Sequence, residues 1–275
     1  MAYNNFKQEF WSAHIQTELE KNCVLAAGCD YEFEGEIKKG NKLRILGVER
    51  PTINDYTGAD QNPETGLDTA IMLEIDKAKN YFIAVDDIDK AQGKEGLMEN
   101  LTAEGNKGLA EARDSAIAAL AAGATNKSTA TASVDSETEA MALIDAAFEK
   151  LYDNGVKLNR DLELILPPFM YTLVRKQIVT DLTDNPKVIR SGVVGKMNNA
   201  MVLMTNNLYT DGSGYSYPML RTKKAIAFAG LINEVIPTSL ASRGRASDAV
   251  LAIDNYGCRI VRQDELYVIR AKKTA

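Results

Sequence analysis

Leu67, Thr69, Ile71, Leu73 and Ile75 occupy every second position of one stretch, and the residues between them are mostly polar or small. A period of two places one set of side chains on a single face of a strand. Leu43, Ile45 and Val48 carry a partner strand, extended by the β-branched pair Thr52 and Ile53 past Pro51. Proline lacks the N–H that a ladder needs, so this strand belongs at an edge. The ten-residue joint at 57–66 is dense in Gly, Asp, Asn, Pro and Thr, the residues of turns. The pattern predicts a long two-stranded arm. Nothing inside the segment folds over to bury it, and such a ribbon is not stable alone in water. Another copy of the chain is the natural supplier of the covering surface.

The rest of the chain interleaves helices and strands. Phe6, Phe10, Ile15 and Leu19, with Trp11 beside them, predict a helix over residues 4–21. Residues 77–79 read as a polar joint and 81–85 as a short buried strand. A long helix over 88–122 follows, with Leu97, Leu101, Leu109, Ala112, Ala116 and Leu120 largely on one face. Gly93, Gly96, Gly105 and Gly108 weaken it by up to about 1 kcal/mol each relative to alanine, so it needs tertiary support. Residues 124–136 are small, polar and featureless, the composition of a linker or mobile loop. Ser136 and Glu139 form a capping box ahead of Met141, Leu143, Ile144, Ala147 and Leu151, and Asn154-Gly155 closes that helix. Leu162, Leu164 and Leu166 make a strand with Ile165 on its other face; Pro167-Pro168 stop it and start a helix over 169–180. Strands are predicted at 200–205, 225–229, 250–261 and 266–270, with a turn-rich loop at 206–218. There is no internal repeat and no regular βαβ rhythm, so the class is α+β.

Composition narrows the roles. A chain of 275 residues supports one large domain or two modest ones. The net charge of −6 argues against a dedicated nucleic-acid binder, which needs clustered Lys and Arg, but not against a protein that only encloses nucleic acid. Cys23, Cys29 and Cys258 are odd in number and contain no CxxC pair, which speaks for a reducing compartment and against a disulfide framework or zinc site. Residues 1–11 have no basic run followed by an apolar one, and no apolar stretch approaches the ~18 residues of a membrane span. The reading is a protein made in the cytosol, with no membrane partner.

The sequence carries few chemical motifs. There is no G-x-S-x-G and no GxGxxG, and Gly192-Val-Val-Gly195-Lys196 lacks the spacing and the Ser or Thr of a phosphate loop. His14 is the only histidine, which closes most histidine-based metal and triad schemes. Asp86, Asp87 and Asp89 stand within four residues and have the donor chemistry for Mg²⁺. Their simpler reading is helix capping plus an acidic patch facing a partner. Lys38-Lys39, Lys223-Lys224 and Lys272-Lys273 read as solvated faces or as partners of the arm's acids in another subunit. No catalytic residue, cofactor or metal site is predicted.

Several stretches, in order, resemble one family. They are Glu34-Gly-Glu36-Ile-Lys-Lys-Gly40 with Pro51-Thr-Ile-Asn-Asp-Tyr-Thr57; Leu73-Glu-Ile-Asp-Lys-Ala-Lys79 with Tyr81-Phe-Ile-Ala-Val-Asp-Asp-Ile-Asp-Lys-Ala-Gln92; Leu166-Pro-Pro168, Gly195-Lys196 and Asn206-Asn-Leu208; and Ala225-Ile-Ala-Phe-Ala229 with Asp248-Ala-Val250, Tyr256-Gly257 and Val261. Together they resemble the major capsid proteins of tailed bacteriophages, those with the Hong Kong 97 fold, over nearly the whole chain.

The resemblance implies an N-arm at 1–30 and an extended β-hairpin loop at 31–80. It implies a peripheral domain at 81–136 and 250–275 carrying a long spine helix, and an axial domain at 137–249. It implies a structural protein that assembles with itself, through pentamers and hexamers, into an icosahedral shell around double-stranded DNA. That shell would be built in the bacterial host cytoplasm and would become the virion. The inter-subunit contact candidates are Arg50, Ile53, Tyr56, Asp60, Glu64, Asp86, Asp87 and Asp89. The segments 124–136 and 206–218 have compositions suited to changing shape between pentamers and hexamers. The founding member of the fold joins subunits through a lysine on the extended loop; residues 57–66 contain none, so no covalent crosslink is expected. An N-terminal scaffolding domain is not expected either, which implies a separate scaffolding protein beside a portal. A decoration protein stays open. The alternatives are an encapsulin-like compartment shell and a Mg-dependent enzyme using Asp86, Asp87 and Asp89.

Overall fold

The structure is a computed structural model, and it describes residues 25–34, 41–48, 52–53, 55, 68–86, 97–128, 132–157, 161–178, 195–239 and 247–273. The period-two segments become β1 (Lys42–Val48) and β2 (Asp68–Glu74), followed after Ile75 and Asp76 by β3 (Lys77–Asp86). Helix α1 (Leu97–Ala119) comes next, then β4 (Ala132–Val134) and α2 (Glu137–Asp153). After them come β5 (Leu162–Leu166), α3 (Pro168–Gln177), β6 (Lys196–Met197), β7 (Ala200–Met204) and β8 (Met219–Thr222). The chain closes with two long strands, β9 (Ile226–Ser239) and β10 (Ser247–Ile260), and two short ones, β11 (Leu266–Val268) and β12 (Ala271–Lys273). The helix predicted over 4–21 and the turn at 57–66 lie outside the described residues.

Two sheets organise these elements. The first is antiparallel in the order β3-β10-β9; the second is mixed, β11-β8-β5-β7-β6, with β5 and β7 parallel. In the first sheet, Tyr256 and Ala252 of β10 and Phe228 of β9 face α1 and are buried with Ile117 and Val250. In the second, Leu164 and Leu166 face α2 and α3, where Ile144, Phe148, Leu151, Met170 and Val174 close the core. Ile165 points the other way, into the first core. All five positions of β5 are buried, as befits a central strand covered on both faces.

Local signals set the helix limits. Ser136 Oγ accepts from Glu139 N, and the Glu139 carboxylate accepts from Ser136 N, the reciprocal box read from the sequence. Gly155 after Asn154 takes φ of 86°, a conformation open to glycine. Pro168 opens α3, where its missing N–H costs nothing. The weakened helix α1 receives its support from three side chains. The Tyr81 ring lies against Gly105, with its hydroxyl donating to Asn106 Oδ1 at 3.1 Å. The register of β10 with β9 shifts between Ile253 and Asn255. Asp254, in that gap, is gripped by Arg113 of α1 at 2.5 and 2.6 Å. The Arg113 guanidinium also lies 5.5 Å from the Phe228 ring centroid.

Four expectations change. Residues 77–79 are not a joint but the start of β3, which pairs with β10 from Lys77↔Tyr256 to Asp86↔Ser247. That strand is not buried: it is a sheet edge, and Phe82 is 52% exposed. The first arm strand is described as Lys42–Val48, with Val48 opposite Asp68, and Thr52 and Ile53 lie outside any strand. Residues 124–136 are held rather than loose wherever they are described. Ser128 N donates to Val268 O at 2.8 Å, Val268 N donates to Asn126 O at 3.0 Å, and β4 forms a parallel ladder with β12. A three-residue strand has too short a period to be read, and its partner lies at the other end of the chain.

One buried charge ties the two sheets to the chain that precedes them. Arg221 of β8 is fully buried and donates to Glu163 Oε2 of β5 at 3.0 and 3.2 Å, and to Leu25 O at 2.6 Å. The same short segment is fixed from α1, where Asp114 Oδ1 accepts from Leu25 N and Ala26 N. It is fixed again from β9, where Asp30 N donates to Ile226 O at 2.8 Å. Glu163→Leu strands the Arg221 charge in the interior. The expected cost is about 3–5 kcal/mol, read as a lower urea midpoint of the unassembled subunit, and Arg221→Met in the same chain should recover most of it.

Candidate assembly interface

The arm is built from two strands in full register, from Lys42↔Glu74 through Ile45↔Ile71 to Val48↔Asp68. Period two gives it two different faces. Leu43, Ile45 and Leu73 point toward the body, where Ile45 and Leu73 are buried with Ala227 and Ala229 of β9. The expectation that the chain supplies no cover is therefore corrected: the base of one face is seated on the subunit itself. Opposite it, Leu46 is 73% exposed and Met72 41% exposed. Lys42 Nζ lies 2.7 Å from Glu74 Oε1 at the base; so exposed a pair adds a few tenths of a kcal/mol at most and serves mainly to favour this register. A cleft of about 540 Å³ lies against the arm, lined by Phe33, Arg44, Leu46, Ile71, Lys224 and Val261.

The predicted contact residues divide. Ile53 is described and 81% exposed. Asp86 ends β3 opposite Ser247, so its backbone belongs to a strand. Arg50, Tyr56, Asp60, Glu64, Asp87 and Asp89 lie outside the described residues. Among the described residues no three His, Cys, Asp or Glu side chains converge as a metal site requires. Sequence reading missed Leu46, Met72 and Phe82. Leu46 and Met72 sit on the off-beat of the period-two pattern, where a polar residue is the default, and that is the signal that marks them. Phe82 shares its face with Leu251 and Ile236, directly across β10 and β9, on the side of the sheet away from α1.

The basic pairs are partly engaged within the subunit. Lys224 Nζ lies 3.3 Å from Glu32 Oε1, and Lys272 Nζ donates to Ser213 O at 3.0 Å. The second contact belongs to the loop at 206–218, which composition made a mobile candidate and which is instead wound around one carboxylate. Asp211 accepts from the backbone N–H of Ser213 and Tyr215, from the Tyr217 hydroxyl, and from Arg270 at 2.6 Å. The Arg270 guanidinium in turn lies 4.4 Å from the Tyr215 ring centroid. These donors, the Tyr215 N–H first, hold the Asp211 carboxyl down at about 2. The thiols behave oppositely. Cys29 and Cys258 are buried and free; desolvation raises both, Cys258 to about 11.

No family model matches this sequence, and no curated protein matches it. Solved structures do. One from Mycobacterium phage Che8 is 26% identical, with 90% of each chain covered and a TM-score of 0.77. The capsid structure of the cyanophage P-SCSP1u is 14% identical, over 86% of this chain and 85% of that one, at a TM-score of 0.70. A virus-like particle from Pyrococcus furiosus is 12% identical, over 96% of this chain and 99% of that one, at 0.63. The chain has the α+β capsid fold that its resemblance to tailed-phage major capsid proteins implied.

The Asp211 knot has a pH signature. Its folded carboxyl titrates at about 2, below the roughly 3.9 of an unfolded aspartate, so its contribution is complete above pH ~4 and is lost as pH falls through 2. Pepsin should therefore leave residues 206–218 uncut at pH 4 in the unassembled subunit and cut there as pH approaches 2. Asp211→Asn should be cut there already at pH 4.

Proposed function

We propose that the protein is a structural major capsid protein that assembles with itself, through pentamers and hexamers, into an icosahedral shell around double-stranded DNA. The observation that carries this reading is the two-faced arm on a capsid fold. One face is seated on its own body, while on the other Leu46 and Met72 stand exposed among the charged Lys42, Arg44 and Glu74. A flat ribbon with such a face is an aggregation hazard in a monomer and a ready contact in an assembly. Arg50, Ile53, Tyr56, Asp60 and Glu64 would extend that contact along the arm, and Asp86, Asp87 and Asp89 would meet a neighbour at the end of β3.

In this reading residues 1–30 are the N-arm and 31–80 the extended loop. Residues 81–136 and 250–275 form the peripheral domain with α1 as its spine, and 137–249 form the axial domain. The acidic balance suits enclosure: a strongly basic lining would hold the DNA it must admit and release. Assembly would take place in the host cytoplasm with a separate scaffolding protein and a portal, and the product would be the virion. Contacts repeated around closed rings add up to a stable shell even when each is weak.

A second reading, an encapsulin-like compartment, is favoured by the likeness to the Pyrococcus furiosus particle along nearly all of that chain. Electron microscopy of the purified protein, alone and with its cognate scaffold, separates the outcomes. Shells with packaged DNA support the first reading, shells enclosing protein cargo support the second, and small discrete oligomers overturn both. Leu46→Glu with Met72→Glu should leave the unfolding of the isolated subunit within about 0.5 kcal/mol, because both side chains are exposed. The same pair should abolish shells in the micrographs.

A further inference from the structure

The arm meets the body at a seat made of unusually small residues. On β9 these are Ala227 and Ala229; on β10, directly opposite Ala229 in the ladder, is Gly257. All three lie on the face of the sheet turned away from α1, since Phe228, Tyr256 and Cys258 between and beside them face the α1 core. Ala227 and Ala229 are buried under Ile45 and Leu73 of the arm. Gly257 lies beneath the point where β2 turns into β3. A Cβ at 257 would collide with the Glu74 carbonyl oxygen, lie 2.8 Å from the carbonyl carbon and 3.0 Å from Ile75 Cα. Every one of those atoms is backbone, so no side-chain rotation relieves the clash.

The crossing point is held on other sides as well. Ile75 N donates to Asn41 O at 2.7 Å, which locks both strands of the arm together at the joint. Immediately beyond it, β3 is fixed to β10 from Lys77↔Tyr256 onward. Arg259, one step along the same face of β10 from Gly257, donates from Nη1 to Met72 O at 3.0 Å. The arm thus rests on a low saddle, with one guanidinium propping its second strand two residues above the joint.

We infer that this saddle determines the direction in which the arm leaves the subunit, and through it the size of the closed shell, with Gly257 and Arg259 as the positioning residues. The inference rests on the shell-forming reading above. The physical reason is geometric. A head-to-tail contact closes into a ring or shell of one size only when the rotation between neighbours fits, and the arm carries the contact face far from its root. A methyl group at 257 lifts the joint by the room the methyl needs, and the lever of the two strands enlarges that displacement at Leu46 and beyond. Loss of the Arg259 donor lets the second strand settle without its prop.

The test compares Gly257→Ala, Arg259→Met and Arg259→Lys with the wild type. Cryo-electron microscopy measures shell diameter and arm direction, and thermal unfolding is followed on the unassembled subunits. The expected result is a single shell diameter for wild type and Arg259→Lys, which keeps a cationic donor on the same side of the second strand. Gly257→Ala and Arg259→Met should lose that single diameter and give shifted or mixed sizes, with Arg259→Met unfolding at the wild-type temperature. Shells of wild-type diameter from both Gly257→Ala and Arg259→Met overturn the inference. If Gly257→Ala fails to fold, Arg259→Met decides alone, because its side chain is exposed and outside the core. Absence of shells from the wild type both alone and with its cognate scaffold refutes the shell-forming reading instead, so the two failures are distinguishable.

Discussion

The Arg221 guanidinium is the constraint on which the rest of the structure depends. An arginine with no exposure must satisfy its charge and its donors inside the protein, and only a particular set of neighbours does so. Glu163 supplies the countercharge, Leu25 a carbonyl oxygen and Cys29 a sulfur 3.5 Å away. Those partners come from the central strand of one sheet and from a segment near the start of the chain. That segment is thereby delivered to Asp114 of α1 and to Ile226 and Phe228 of β9. Replacing such a group with well-packed apolar residues often costs nothing, whereas removing one partner alone leaves a buried charge, so the partners are bound to come together. Here that arrangement brings the mixed sheet, the long helix and the antiparallel sheet to a common corner.

The arm inherits its position from that corner. Strand β9 begins at Ile226, where the N-terminal segment is docked, and one residue later presents Ala227 and then Ala229 to the arm. The same strand therefore holds the subunit together on one face and seats its outgoing element on the other. This division explains why the arm is held at its base while Leu46 and Met72 face outward. Burial fixes the root, and the period of two leaves Leu46 and Met72 on the other side. The large side chains Tyr256 and Phe228 are concentrated on the α1 face, and the small ones on the arm face. A single sheet is thus shaped differently for a core and for a crossing chain.

Much of this was legible in sequence where the signal is local. The Ser136–Glu139 box, the Asn154-Gly155 stop and the Pro167-Pro168 junction act within a few residues, and each names its element. The arm's second strand was legible because Leu67, Thr69, Ile71, Leu73 and Ile75 hold a period of two, and the first because apolar Leu43, Ile45 and Val48 face it across a turn-rich joint. The failures are contacts between distant segments. Residues 132–134 became a strand only because Ala271 to Lys273 run beside them. Residues 77–79 look polar because β3 is an edge with solvent on one side. The knot around Asp211 needed Arg270, and nothing near Asp211 announces it. Gly257 is the sharpest case: in sequence it is a glycine inside a strand, and only the Glu74 carbonyl above it shows why. As for contact residues, the charged and aromatic candidates of the arm were chosen by type, whereas Leu46 and Met72 are marked by exposure, which depends on which face the body takes.

The buried thiols carry a consequence for chemical endurance. A thiol reacts with oxidants and disulfides as thiolate, and a group titrating at about 11 holds on the order of one molecule in ten thousand in that form at neutral pH. Cys29 is shifted in the same direction and is closed from solvent. Sulfur sealed and protonated in the interior is reached by oxidants only when the fold opens, so these two thiols age at the pace of that opening.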